Sequence, residues 1–303
     1  MTDGPRLPSI FAPPVARAPA PSAEAPSPSP SYALPERGLP DQAALHTGRA
    51  VFTEAYAVIP RGVMTDIVTS RFPGWEGARA WILARPMTGF AETFAQYVME
   101  VAPGGGCGVG EPDGQAQGAL FVTAGAVRIH VDGRDHTLGP GHFAYLPPWT
   151  HWSLTNPGDE PAVFHWIRKR WTNAEGLSPP DFYALDEAAV APVAMPGTDR
   201  WATTRFMDPD DMRHDMAVTI VTFEPGGVIP FEETHVMEHG LYVLEGKAVY
   251  RLNRDWVEVE AGDFMWLRAF CPQACYAAGP GRFRYLLYKD VNRHPALDLS
   301  GGR

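Results

Sequence analysis

Glu233, His235, His239 and Gln273 are the residues of this 303-residue chain best suited to chemistry. From Gly227 to Gly246 the sequence reads G-x5-E-x-H-x3-H-x6-G, and from Gly262 it reads G-x10-Q. Side chains on a strand alternate between faces. Glu233, His235 and His239 are all odd-numbered, so a continuous strand would aim them to one side, and Gln273 arrives from a later strand. Two imidazoles, a carboxylate and an amide oxygen form a mixed nitrogen and oxygen donor set. Such hard donors suit Mn(II), with Fe(II), Ni(II) or another divalent ion as alternatives, whereas thiolates would favour zinc or copper(I). Four ligands leave two positions of an octahedral ion for substrate or water. Cys271 and Cys275 flank Gln273 as C-x3-C and are read as buried thiols in a strand turn.

The elements that must position these residues are short strands. Apolar runs at 98–101, 119–122, 127–131, 143–146 and 164–167 are separated by Gly, Pro and Asp turns, and the same rhythm returns at 216–223, 241–244, 248–252, 256–259, 264–267 and 284–288. Residues 171–200 connect the two series, with a short helix expected within 180–191, capped by Asp181. Residues 52–86 read as strands and turns leading into the first barrel.

The two series are an internal repeat. A shift of 121 residues places Leu120-Phe121-Val122 on Leu241-Tyr242-Val243, Gly125 on Gly246 and Gly141 on Gly262, and after a one-residue slip Lys169 meets Lys289. The same shift puts Pro112, Gly114, Gly118 and Trp152 where the second half has Glu233, His235, His239 and Gln273. The first half has lost every ligand and is expected to serve as structure, interface or lid, with Trp149 and Trp152 filling the vacated space. The fold expected is all-β, two tandem jelly-roll barrels with few short helices. The divisions expected are a disordered Pro/Ala/Ser-rich tail over 1–40, a barrel without metal ligands over 41–175, and a linker with the metal-binding barrel over 176–303. The tail holds eleven of the 31 prolines and has no composition for a core.

Composition bounds the partners. A formal charge of −10 argues against nucleic acid or an anionic membrane. No apolar run approaches the roughly 18–20 residues that span a bilayer, and no secretory signal is visible. Three cysteines do not make a disulfide framework and fit a reducing cytoplasm. His214 and Asp215, just before a strand, are read as turn or interface residues.

The spacing of the ligand frame resembles the signature of cupin barrels, G-x5-H-x-H-x3,4-E-x6-G with a further His after a second Gly, although the residue types at three ligand positions differ. The segment from His235 to Tyr276, its continuation F-R-Y-L-L-Y-K-D-V-N-R-H, and W-A-T-T-R-F-M-D-P-D-D-M-R-H-D-M upstream are similar to the (S)-ureidoglycine aminohydrolase family of bicupins. The resemblance covers nearly everything after residue 45. It implies Mn(II) held by Glu233, His235, His239 and Gln273, and substrate contacts from Tyr250, Tyr285 and Lys289. It also implies a hydrolase of allantoin catabolism that converts (S)-ureidoglycine to (S)-ureidoglycolate and ammonia. Glu233 is the first choice for moving a proton and Lys289 the second. An Fe(II) cupin dioxygenase and a non-enzymatic barrel that binds a small acid are the alternatives. Related barrels commonly assemble, so a homo-oligomer is expected.

Overall fold

Most of the strong apolar runs carry no alternation, and the structure gives the reason. In the computed structural model, Phe264–Leu267 is buried at every position. Met265 and Leu267 face the core of one barrel, while Phe264 and Trp266 face a second apolar layer shared with the other barrel. In the first half Leu120 and Val122 line a barrel core while Ala119 and Phe121 enter the shared layer. Strands at the outer rim do alternate: Val127–Val131 buries every second residue.

The structure describes residues 48–65, 69–86, 89–290 and 293–294, so the Pro-rich 1–40 segment lies outside the described residues. The strands of the first half are preceded by β1 (Val51–Phe52) and β2 (Tyr56–Ile59), and continue through β3 (Trp75–Ala84), β4 (Ala95–Cys107), β5 (Ala116–Ala124), β6 (Val127–Val131), β7 (Arg134–Leu138), β8 (His142–Leu146), β9 (Trp152–Thr155) and β10 (Ala162–Arg170). The connector holds β11 (Tyr183–Asp186) and β12 (Val193–Ala194). The second half follows with β13 (Trp201–Arg205), β14 (Ala217–Phe223), β15 (His239–Glu245), β16 (Lys247–Leu252), β17 (Asp255–Glu260), β18 (Phe264–Leu267), β19 (Gln273–Tyr276) and β20 (Phe283–Lys289). The fold is all-β as expected, and among the described residues the only helical pieces are single 3-10 turns such as Arg61–Val63 and Glu187–Ala189.

The helix expected within 180–191 is instead β11 followed by a 3-10 turn, capped by Asp186 rather than Asp181. Its residues pair along β8, from Tyr183 opposite Tyr145 to Asp186 opposite His142. A ladder of tertiary hydrogen bonds outweighs the modest helix propensity of so short a segment.

Each barrel receives a strand from the segment that precedes the other. Residues 51–59, read from sequence as leading into the first barrel, pair with the second: β2 runs antiparallel to β18, with Phe264 opposite Ile59 and Leu267 opposite Tyr56. β11, which precedes the second barrel, closes the edge of the first at β8. The second barrel is thus a sheet ordered β1-β2-β18-β15-β20-β14-β13-β12 facing the smaller sheet β17-β16-β19.

Two repeat-related clasps fix the barrels together. Glu238 accepts hydrogen bonds from the Glu92 and Thr93 backbone N–H groups (2.7 and 3.0 Å), the Thr93 hydroxyl (2.6 Å) and the Trp266 indole N–H (2.6 Å). Its counterpart 121 residues earlier, Gln117, accepts from the Tyr145 hydroxyl (3.1 Å) and donates to Asp215. Asp215 also receives the Lys169 ammonium (2.8 Å) and the Thr172 N–H (2.6 Å). Asp215 is therefore an interface residue, as read from its position.

Candidate active site

Strand register builds the site. Lys289 stands directly opposite His239 on one side and Ala217 on the other. Two residues along, Leu287 lies between Leu241 and Thr219, and Tyr285 between Val243 and Val221. Odd-numbered residues of β13 (201–205), β14 (217–221), β15 (239 and 241) and β20 (285–289) share one face. They line a cavity of about 390 Å³ together with Glu233, Gln273 and Met237. The even-numbered neighbours face the first barrel. Glu238 and Gly240 flank His239, and Tyr288 and Asp290 flank Lys289. Phe94 stacks on Tyr288 with ring centroids 4.1 Å apart. A Cβ on Gly240 would meet Gln96 and Phe94 at 2.7 Å. The two strands that carry His239 and Lys289 are thus pressed from behind by residues 92–96.

Glu233 and His235 do not lie on a continuous strand with His239. Glu233 makes an isolated bridge with Gln273, each backbone N–H donating to the other's carbonyl at 2.9 Å. The chain then leaves the ladder until His239 begins β15. Loop contacts replace the ladder: the Phe270 N–H donates to the His235 carbonyl at 2.7 Å, and the Thr234 hydroxyl to the Phe270 carbonyl at 3.0 Å. The Gln273 amide lies 3.3 Å from His235 Nε2, and the His235 and His239 rings are 4.5 Å apart.

Among the described residues no three His, Cys, Asp or Glu side chains are closed to metal-holding distance. The donor set nevertheless fits a divalent ion. Burial holds His235 down to about 4 and His239 well below its ordinary value, with the Lys289 charge adding to both, so both imidazoles are neutral as ligation requires. His235 Nδ1 is buried without a hydrogen-bond partner. Turning the Gln273 amide over presents its oxygen on the Nε2 side of the His235 ring. Glu233 has its carboxyl raised by burial, against the pull of Lys289. Lys289 in turn is lowered by burial, while Glu233 raises it and Arg205 lowers it.

The structure brings Glu233, His239, Gln273, Tyr285 and Lys289 to one cavity wall. Tyr250 is fully buried and stands behind Tyr285, ring centroids 6.2 Å apart, rather than on the wall. Trp201, Thr203 and Arg205 of β13 also line the cavity. Sequence reading missed them, although their odd parity on a strand before β14 was a usable signal.

The equivalent positions of the first barrel are packed with aromatic side chains. Trp152 is buried there, edge-on to Trp166 (5.8 Å) and Trp75 (6.3 Å), and a Cβ on Gly110 would lie 2.2 Å from its ring. Trp152 fills the space as expected. Trp149 does not, for it is 56% exposed and packs on Trp171. The register also corrects one alignment. Arg168 pairs with Gly118 as Lys289 pairs with His239, so Arg168 is the counterpart of Lys289 with no slip. Arg168 is held by Glu111, so the first barrel has a cation–carboxylate pair at this position.

Two barrels of one topology, one with a donor cluster and one plugged by tryptophan, define a bicupin, and the cupin domain family model matches residues 97–168 and 219–288. The (S)-ureidoglycine aminohydrolase of Escherichia coli strain K12 is 30% identical over 77% of this chain and 87% of its own length. That of Arabidopsis thaliana is 31% identical over 82% of this chain and 79% of its own. The solved structure of a candidate glyoxylate-induced protein from Pseudomonas aeruginosa is 60% identical, with a TM-score of 0.79 over 83% of this chain and 95% of that one. The chain belongs to the (S)-ureidoglycine aminohydrolase family and is homologous to a hydrolase.

Proposed function

We propose that this protein hydrolyses (S)-ureidoglycine to (S)-ureidoglycolate and ammonia in a metal-dependent reaction. The observation that carries the reading is the meeting of Glu233, His239, Gln273, Tyr285 and Lys289 in one cavity of a chain with that ancestry. Glu233, His235, His239 and Gln273 would hold the ion, Mn(II) by the character of the donors. Bound there, it would polarise the substrate and lower the pKa of water.

The chain's own residues divide the remaining work. The substrate carries an amine, a ureido group and a carboxylate on one carbon. Water supplies the hydroxyl that replaces the amine, and the leaving nitrogen must gain a proton. Glu233, on the wall of the cavity beside the donor cluster, is the first candidate to carry that proton on a carboxylate oxygen. Lys289 is the second candidate and contributes positive charge toward an anionic substrate. Tyr285 on the wall, backed by the buried Tyr250, would donate to the ureido or carboxylate oxygens. A homo-oligomer remains part of the reading, and a monomer mass by light scattering would remove it.

The test is ammonia release from freshly generated ureidoglycine without oxygen, comparing Mn(II)-loaded protein with Glu233→Ala. Metal-dependent release with (S)-ureidoglycolate as product, lost in the variant, is expected. Release no faster than the spontaneous reaction, in protein shown to hold its metal, would sink the reading.

A further inference from the structure

The wall of the cavity formed by β13 has a different character from the donor cluster. It presents Trp201, Thr203 and Arg205. Arg205 is held in place by its neighbour, its Nε donating to the Thr203 hydroxyl at 3.0 Å. That bond leaves the terminal guanidinium nitrogens unengaged by any hydrogen bond or ion pair among the described residues. The Trp201 indole N–H on the same wall is buried and has no acceptor. The lining therefore carries two cations, Lys289 and Arg205, against one carboxylate, Glu233, and Arg205 is the exposed one of the two cations. A guanidinium with free terminal nitrogens matches the planar geometry of a carboxylate, which it can grip with two parallel hydrogen bonds.

We propose that Arg205 is a specificity-determining residue that binds the carboxylate of a small anionic substrate at the cavity mouth. The proposal rests on the reading of this cavity as the active site. It assigns the substrate's orientation: the carboxylate lies toward β13 and the carbon bearing the amine lies toward the donor cluster. Lys289, deeper and opposite His239, is then left free to serve the reacting end. Binding of this kind is the same in ground and transition states, so its loss falls on KM rather than on kcat.

Two measurements on the metal-loaded, full-length protein test it. In steady-state kinetics, Arg205→Met is expected to raise KM for ureidoglycine about tenfold or more with kcat within about threefold, and Arg205→Lys to recover part of the loss. In calorimetric titration without turnover, the wild type should bind (S)-ureidoglycolate about tenfold or more tighter than its neutral primary amide, and Arg205→Met should bind the two alike. Retained discrimination between acid and amide in Arg205→Met, or a wild type that binds neither, overturns the proposal. A wild type that releases no ammonia but discriminates acid from amide through Arg205 would remove the hydrolase reading and leave the carboxylate assignment standing.

Discussion

His165 shows what burial of a titratable side chain costs this protein. It lies in the layer between the barrels, 4.2 Å from the Tyr242 ring, and its Nδ1 has no partner. Burial pushes its pKa down to about 3. The folded state therefore refuses a proton that the unfolded state accepts near 6.5, and stability is lost as pH falls from 6.5 toward 3. The loss attributable to His165 is at most about 1.4 kcal/mol per pH unit across that window. His165→Phe should flatten the acid limb of a denaturation profile by up to that slope, and an unchanged limb would show that other groups carry it. At this scale the sequence was informative where a residue's chemistry and its parity agreed. His239 is the plain case; Glu233 reaches the cavity from outside that strand, Gln273 came from the spacing of the frame, and Tyr285 and Lys289 came from the family resemblance. Sequence reading passed over Arg205, Thr203 and Trp201, which are not metal donors and whose odd parity counts only once β13 is known to join the sheet of β14. It also placed Tyr250 by face alone, and parity cannot distinguish a wall from the layer behind it.

At the scale of elements, β15 and β20 serve two surfaces at once. Their odd residues line the cavity and their even residues meet segment 92–96 of the first barrel. Gly240 is the tightest point of that contact, where any side chain would collide with Phe94 and Gln96. Gly240→Ala should cost about 1–3 kcal/mol through overpacking. It should also weaken Mn(II) binding, because the displaced strand carries His239. Thermal melting and metal titration on the same sample check both, and full metal affinity in a destabilised variant would show that the first barrel does not position the ligand strand. The strands themselves were legible from turn residues and apolar runs. The 180–191 segment was misread as a helix because the edge of β8 that recruits it lies some forty residues earlier in the chain. The loop through 234–238 was misread as strand because its departure from the ladder is set by Phe270, which bonds Thr234 and His235, and by Glu238, which is anchored at residues 92, 93 and 266.

For the whole molecule, the reciprocal strand contribution makes the halves dependent on one another. Tyr56, Ala57 and Val58 are buried against the second barrel. Asp263, fully buried, is satisfied there by the Arg49 guanidinium, the Arg61 N–H (2.9 Å) and the Glu260 N–H (2.9 Å). A chain shortened to begin at Arg61 would lose the Arg49 partner and expose the β18 edge. Stripping the partner from a buried charge costs about 3–5 kcal/mol, and an unpaired apolar edge invites association. Light scattering should show self-association of the shortened chain, and a stable species of unchanged state would contradict the role given to β2. The repeat was legible in the sequence, but the exchange was not, because pairing between β2 and β18 leaves no local pattern at either end. Its consequence appears during synthesis. Residues 51–59 are among the first of the described residues to leave the ribosome, yet their partner strand emerges only after some two hundred more have been added. The first barrel likewise keeps an open side until β11 arrives. The earliest-made strands of the described residues are thus among the last to be seated, and until then the nascent chain carries them without their partner β18.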